Sequence, residues 1–384
     1  MRGKLGIYNA QHYLYCKAVL DIQFFYIYHL KLEGTGMNII AWETTRRCKF
    51  SCVHCRASAC DNDYAGELST DEGMKLIDSI AEKSPSLLIL TGGEPLLRED
   101  IFLLASHASN LKIRVVMAPC GTSINKATIE KLKASGVSRI SLSIDGKDST
   151  YHDEFRGRIG AFDEVINAAK IARKYGMEFQ INTTVTTKNV NNLEEINDLT
   201  KSIGAVIHDV FLLVPTGRGS GLREYELNAD KYESTLQWIA DETLSGRRNF
   251  KVTCAPHYSR IWRQKKNAMD KVDIISKKVR PPSGCLAGNG FVFVSHRGDI
   301  QPCGFFDKQC GNIKDFDLNI YKTCGNSDTF NKLSTKSSYK GKCGTCEFWQ
   351  ICKGCRARAF AVSGDFMNEE PYCSFKPKQA RSSE

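Results

Sequence analysis

From Met37 onward, short runs of β-branched and aliphatic residues alternate with longer stretches whose apolar positions return every three or four residues. The runs predict strands at Ile39–Glu43, Leu87–Thr91, Arg114–Ala118, Arg139–Ile144, Glu178–Thr184 and Ile207–Val214. The longer stretches predict helices over 70–82, 99–109, 126–135, 160–175 and 192–202, the first with Ser69 or Thr70 as N-cap ahead of Asp71 and Glu72. Regular β–α alternation makes a parallel sheet with right-handed crossovers. The predicted fold class is therefore α/β, and six such strands suit a partial (β/α)6 barrel of TIM type. Its active residues would lie on loops at the C-terminal ends of the strands.

After about residue 220 this rhythm breaks. One more helix is predicted near 229–245, followed by a strand-like Lys251–Cys254. From about 280 the chain is rich in Cys, Gly and Lys and poor in long apolar runs. Such a region builds little core by itself, and metal clusters can supply the missing crosslinks. The expected organisation is a core over 37–225, a connecting helical segment over 226–280, a small Cys-rich domain over 281–375 and a tail over 376–384.

Residues 1–36 stand apart. Their aromatic-rich run from Tyr13 to Leu32 is interrupted by Lys17, Asp21 and His29, whereas a spanning helix wants about 20 predominantly apolar residues. No small-residue cleavage site marks a signal peptide. We expect Met37 to be the physiological start and 1–36 an upstream extension without a role. An amphipathic surface helix is the alternative, and peptides upstream of Met37 in the native protein would contradict the first reading.

Composition adds two constraints. The formal net charge of +10 suits nucleic acid, an acidic membrane surface or a small substrate carrying several carboxylates. No tract of Lys and Arg interleaved with aromatics and no nucleic-acid module is present, and scattered solvated charge accounts for the excess equally well. The chain has 16 cysteines, grouped at ligand spacings in a long α/β sequence. That grouping points to metal sites in a reducing cytoplasm rather than to disulfides.

The first group, Cys48-x3-Cys52-x2-Cys55, directly follows the first strand. Three thiolates on a tight loop can ligate three irons of a 4Fe–4S cube and leave the fourth open; alone, they could also be a zinc half-site. The second group is Cys343-x2-Cys346-x5-Cys352-x2-Cys355 followed by Cys373, with Cys285 and Gly298-x4-Cys303 upstream. A zinc ribbon is its alternative. Cys254-Ala255-Pro256-His257 is a weaker Cys-x2-His pair, with His257 a candidate for metal or substrate contact.

With Gly92-Gly93-Glu94-Pro95 after the second strand and Ser143-Ile144-Asp145-Gly146 after the fourth, the first group resembles the radical S-adenosylmethionine (SAM) superfamily over about 40–220. The resemblance implies that Cys48, Cys52 and Cys55 ligate the catalytic cluster, whose open iron chelates SAM. It implies that Gly92, Gly93 and Glu94 meet the SAM amino group, and that Ser143 and Asp145 contact its ribose or carboxylate. Arg156 is a candidate for the SAM carboxylate and Asn182 for a further contact. Many relatives have Asn-Gly where this chain has Cys120-Gly121, so Cys120 is expected near the reaction centre, as substrate contact or small packing residue.

The C-terminal group resembles the SPASM or twitch-type extension of these enzymes, which carries auxiliary 4Fe–4S clusters. It implies one cluster on Cys343, Cys346, Cys352 and Cys373. Cys285, Cys303 and Cys355 would belong to a second cluster lacking an obvious fourth ligand. Cys310 and Cys324 fit no pattern.

Glu43-x-Thr45-Arg46, Cys55-Arg56-Ala57, Ile89 to Arg98, Phe211 to Arg218 and Cys355-Arg356-Ala357-Arg358-Ala359 resemble the heme-biosynthesis branch, nearest to its heme b synthases. That resemblance implies oxidative decarboxylation of two propionates of iron-coproporphyrin III to vinyl groups, with an external donor such as ferredoxin or flavodoxin. Arg46, Arg47, Arg56, Arg218, Arg356 and Arg358 are candidate propionate partners. A didecarboxysiroheme deacetylase of the same pathway and a radical SAM peptide maturase are the alternatives; residues 1–36 are too short and irregular for a peptide-recognition domain.

Overall fold

The computed structural model describes residues 37–83, 87–270 and 281–378. The extension expected at 1–36 lies outside them. Nine strands form one sheet: β1 (Ile39–Thr45), β2 (Leu87–Gly92), β3 (Val115–Met117), β4 (Val137–Ser143), β5 (Phe179–Val185), β6 (His208–Leu212), β7 (Phe250–Thr253), β8 (Phe291–Val294) and β9 (Ile300–Gln301). They lie in the order β7-β6-β5-β4-β3-β2-β1-β8-β9. Every neighbouring pair is parallel except β8 with β9.

The first six strands are those read from the apolar runs, and the helices between them cover one face. Ile140, Leu142, Phe179 and Ile181 pack with Val165, Ala168, Ala169 and Ala172 of the helix Ala161–Lys174. The alternate positions of β4 and β5, Ser141, Ser143, Gln180, Asn182 and Thr184, are only half-buried. Because side chains alternate across a strand, these polar residues line the concave side of the sheet. A polar, incompletely filled interior is where a ligand fits.

Helices at Thr70–Ala81, Ile101–Asn110, Lys126–Ala134, Ala161–Lys174, Leu193–Ile203 and Ala229–Leu244 match the periodic segments. Ser69 is the N-cap of the first, in a reciprocal capping box with Glu72. Helices without a signal include Ser149–Arg156, which buries only His152 and Phe155, the strongly basic Tyr258–Asp270, and four short ones of the Cys-rich region, Ile320–Gly325, Asp328–Ser334, Gly341–Thr345 and Arg356–Ser363.

The sheet also crosses the boundaries expected at 225 and 281. β7 adds to the β6 edge, and β8, from the Cys-rich region, pairs with β1 from Ile39↔Phe291 to Trp42↔Val294. Hydrogen bonding and burial of Val292 and Val294 in the main core therefore fasten the Cys-rich region to the barrel. No helix among the described residues is long and apolar enough to cross a membrane.

Candidate active site and cluster cavities

The loop after β1 carries Cys48, Cys52 and Cys55, and its backbone is held from several sides. Cys48 N–H donates to Cys60 O at 3.0 Å, Val53 N–H to Phe155 O at 3.0 Å and Arg218 N–H to Cys55 O at 2.9 Å. The Arg218 guanidinium donates to Cys52 O at 2.8 Å and Ala59 O at 2.9 Å. Gly217, at φ 57°, lies so close that a Cβ would come 2.2 Å from Arg56 O, which explains glycine there. Two sulfurs already accept backbone N–H groups, Cys48 Sγ from Phe50 and Cys55 Sγ from Ala59, both at 3.4 Å. His54 stacks on Phe155 at 4.1 Å; burial and the nearby Arg156 charge push it down to about 3, so it is neutral.

The loop after β2 lies directly on this one. Gly93 N–H donates to Thr45 O and Glu94 N–H to Arg47 O, both at 2.8 Å. A Cβ on Gly92 would be 2.2 Å from Thr45 O, and one on Gly93 2.4 Å from Arg47 O. These glycines thus let two backbone segments meet, in addition to any approach of ligand. Glu94 is buried, accepting from Leu96 N–H at 2.9 Å and Cys120 N–H at 2.6 Å. Burial pushes its carboxyl upward.

Asp145 is fully buried and already engaged: one oxygen accepts from Thr184 N–H at 2.7 Å, the other from Arg156 Nε and Nη2 at 2.7 and 2.6 Å. Burial raises its carboxyl, but the Arg156 charge outweighs this and holds it low. Asp145 thus orients Arg156, whose Nη1 lies 4.0 Å from Cys52 Sγ. Ser143, the last residue of β4, is paired in register with Asn182 in the middle of β5, on the concave side. Cys120 packs 3.8 Å from Cys48 Sγ, beside the cluster loop.

The arginines divide sharply. Arg356 and Arg358 are fully buried. Arg356 donates to Phe366 O and Asn368 O, and Arg358 to Glu370 and to the carbonyls of Leu212, Leu213 and Cys254. They are internal struts, which removes them as propionate partners. Arg47 pairs with Asp61 and Asp63 at the surface. Arg46 and Arg56 flank the buried Glu43, at 3.1 and 3.9 Å, while Arg56 also stacks over Phe293 at 4.2 Å and keeps Nη2 without a partner. Glu43 stands in the Glu43-x-Thr45-Arg46 motif, which gave it no role, and Glu370 belongs to no spacing motif that would have exposed it.

Cys343, Cys346, Cys352 and Cys373 together line one cavity. Phe348 N–H points at Cys346 Sγ at 3.4 Å, Gly354 N–H at Cys352 Sγ at 3.5 Å and Glu370 N–H at Cys343 Sγ at 3.4 Å. Preformed N–H···S contacts suit thiolates that share a cluster. Among the described residues, no three Cys, His, Asp or Glu side chains converge on a single-ion site. His257 lines the same cavity, with neither ring nitrogen hydrogen-bonded; burial pushes it down to about 4. Cys324 is buried in the main core with Cys310 packed against it, both remote from these groups in sequence pattern.

The Radical SAM superfamily pattern matches residues 42–202. An AdoMet-dependent heme synthase of Nitratidesulfovibrio vulgaris is 44% identical over 345 residues, covering 89% of this chain and 93% of that one. An Fe-coproporphyrin III synthase of Methanosarcina barkeri is 28% identical over 352 residues, covering 87% of each. In fold, the chain is similar to Streptococcus suis SuiB bound to its precursor peptide SuiA, with a TM-score of 0.69, 17% identity, and 89% and 76% of the two chains covered.

Proposed function

Because this chain belongs to the radical SAM family of AdoMet-dependent heme synthases, we propose that it converts two propionates of iron-coproporphyrin III to vinyl groups, giving heme b. The observation that carries the proposal is likeness over nearly the whole of both chains, Cys-rich region included, to a heme synthase at 44% identity. Its likeness to an Fe-coproporphyrin III synthase is much weaker, at 28%, which disfavours the deacetylase reading.

Membership brings a 4Fe–4S cluster and SAM, which together supply a 5′-deoxyadenosyl radical able to take an unactivated hydrogen atom. Cys48, Cys52 and Cys55 would hold that cluster, and the set fits it: three thiols on one loop, two already receiving N–H bonds. Gly92 to Glu94, Ser143, Arg156 and Asn182 would contact SAM, with Asp145 fixing Arg156. Loss of a β-hydrogen atom and then of CO2 from a propionate leaves one electron to remove per vinyl formed. The four thiols that line one cavity would hold an auxiliary cluster able to accept it, with a ferredoxin or flavodoxin as the external donor. Arg56, with one free nitrogen and an aromatic support, is the best-placed propionate partner; Arg218 serves chiefly to hold the cluster loop.

The test is anaerobic incubation of the reconstituted protein with SAM, a reductant and iron-coproporphyrin III, followed by chromatography with mass detection. Loss of two CO2 units and appearance of heme b is expected. SAM cleavage with the porphyrin unchanged would overturn the substrate, and didecarboxysiroheme would be tried next.

A further inference from the structure

The helix Tyr258–Asp270 packs Tyr258, Ile261 and Trp262 into a smaller apolar core with Leu236, Ile239 and Phe250. His257 stands just before it, its carbonyl accepting from Arg260 N–H at 3.1 Å and Ile261 N–H at 3.2 Å. His257 and Arg260 are therefore one turn apart, and both line the cavity of Cys343, Cys346, Cys352 and Cys373. Both are buried, and both carry nitrogens without a hydrogen-bond partner among the described residues. His257 uses neither ring nitrogen. Arg260 spends Nη1 and Nη2 on Glu233, at 3.0 and 2.6 Å, and Nη1 also on Gln264 at 2.9 Å, but its Nε is unpaired.

A buried donor without an acceptor bears the full cost of desolvation. Two of them on one cavity wall point to an acceptor inside the cavity. The cysteine sulfurs are served from elsewhere. Glu370, Phe348 and Gly354 offer N–H groups to Cys343, Cys346 and Cys352, and Arg356 Nη2 lies 3.6 Å from Cys343 Sγ. Nor is His257 needed as a ligand, because four thiolates complete a 4Fe–4S cube. Charge points the same way: burial raises the thiols of Cys346 and Cys373, and the Arg260 charge opposes the rise at both. A cation so placed also favours the more negative, reduced state of a group held by those thiols.

We propose that His257 and Arg260 tune the auxiliary cluster on Cys343, Cys346, Cys352 and Cys373, each donating an N–H to a cluster sulfide and so raising its reduction potential. Hydrogen bonds to the sulfurs are among the levers that set such potentials. The raised potential lets the cluster take the electron left by each vinyl formed: the substrate radical is oxidised by one electron as CO2 leaves, and the cluster is reduced by one. This tuning presupposes that the four thiols ligate a cluster, and it is tested without turnover.

Full-length protein, reconstituted anaerobically, is titrated potentiometrically with electron paramagnetic resonance as the readout, following the signal that C346A lacks. H257F removes both ring nitrogens, H257Q restores a donor, and R260K keeps the charge beside Glu233 without the Nε donor. Iron and sulfide content should match wild type in all three. The midpoint of the followed signal should move to more negative potential in H257F and R260K and return toward wild type in H257Q, with the other signals unmoved. A wild-type midpoint in fully loaded H257F would overturn the tuning role. So would loss of the cluster from H257F and H257Q alike, which would make His257 part of the site's construction. Should H257F prove insoluble, R260K decides by the same shift or its absence. Wild-type protein with no signal sensitive to C346A would instead refute the cluster assignment, and the tuning role with it.

Discussion

The loop of Cys48, Cys52 and Cys55 and the cavity of Cys343, Cys346, Cys352 and Cys373 use the same side chain and differ by one thiolate. The loop stands at the C-terminal end of the first strand and opens toward a concave, polar barrel face carrying Ser143 and Asn182. The cavity is walled by aromatic and basic residues, among them Phe348, Trp349, Phe375 and Arg260. Three ligands beside a polar pocket leave an iron for a small molecule to bind. On the proposed assignment, four ligands behind a wall would leave a cluster suited only to exchanging electrons. The number of thiolates, more than the kind of metal, thus assigns each site its work.

The most drastic way to break the comparison is C52A, which removes a ligand where one iron is already without protein. Formation of 5′-deoxyadenosine should fall to background in an anaerobic assay, and retained cleavage would place SAM elsewhere. C346A should act differently. Heme formation should be lost while SAM cleavage persists within several-fold, because the auxiliary site accepts electrons only after the radical has acted.

A third prediction concerns what holds the two regions together. R358M leaves Glu370 buried and unpaired, and breaking one partner of such a pair costs about 3–5 kcal/mol. Thermal unfolding of R358M should show a clearly lower midpoint; an unchanged midpoint would mean that the strut contributes nothing. Glu43 supplies the corresponding tie near the loop. Burial raises its carboxyl, yet His296, Arg56 and Arg46 outweigh that and hold it at about 2, below its ordinary 4.5. A depressed carboxylate stabilises the fold above pH 4.5, and that contribution fades as pH falls toward 2. At 1.36 kcal/mol per unit it amounts to about 3 kcal/mol. Urea midpoints of wild type and E43Q should therefore differ at pH 7 and converge below pH 3; parallel curves would refute the assignment. The smallest effect is expected for R56M, where loss of one charged hydrogen bond, about 1.5–3 kcal/mol, should lower kcat/KM for the porphyrin roughly 10–100-fold. SAM cleavage without porphyrin should stay the same.

Much of this was legible in the chain because local patterns carry it. The six strands and their helices follow from periodicity, and the two cysteine groups from spacing. What stayed hidden is long-range. Nothing local in Phe291–Val294 tells that it pairs with Ile39–Trp42, since a four-residue apolar run has no address. Arg356 and Arg358 read as candidate propionate partners because burial of an arginine depends on carbonyls and carboxylates far along the sequence. The contacts of Asp145 with the Arg156 side chain and Thr184 N–H were likewise hidden, because only the fold brings these groups together. The cysteine after β7 stood in a weak pair with His257, yet the fold sets the two side chains toward different thiol groups.

The most direct test of the division between open and closed sites is electron paramagnetic resonance of the reduced, fully loaded protein before and after addition of SAM. The account predicts that one signal changes, that of the cluster missing in C52A, while the auxiliary signals stay unaltered. A shift in an auxiliary signal, or an unchanged spectrum throughout, would contradict it.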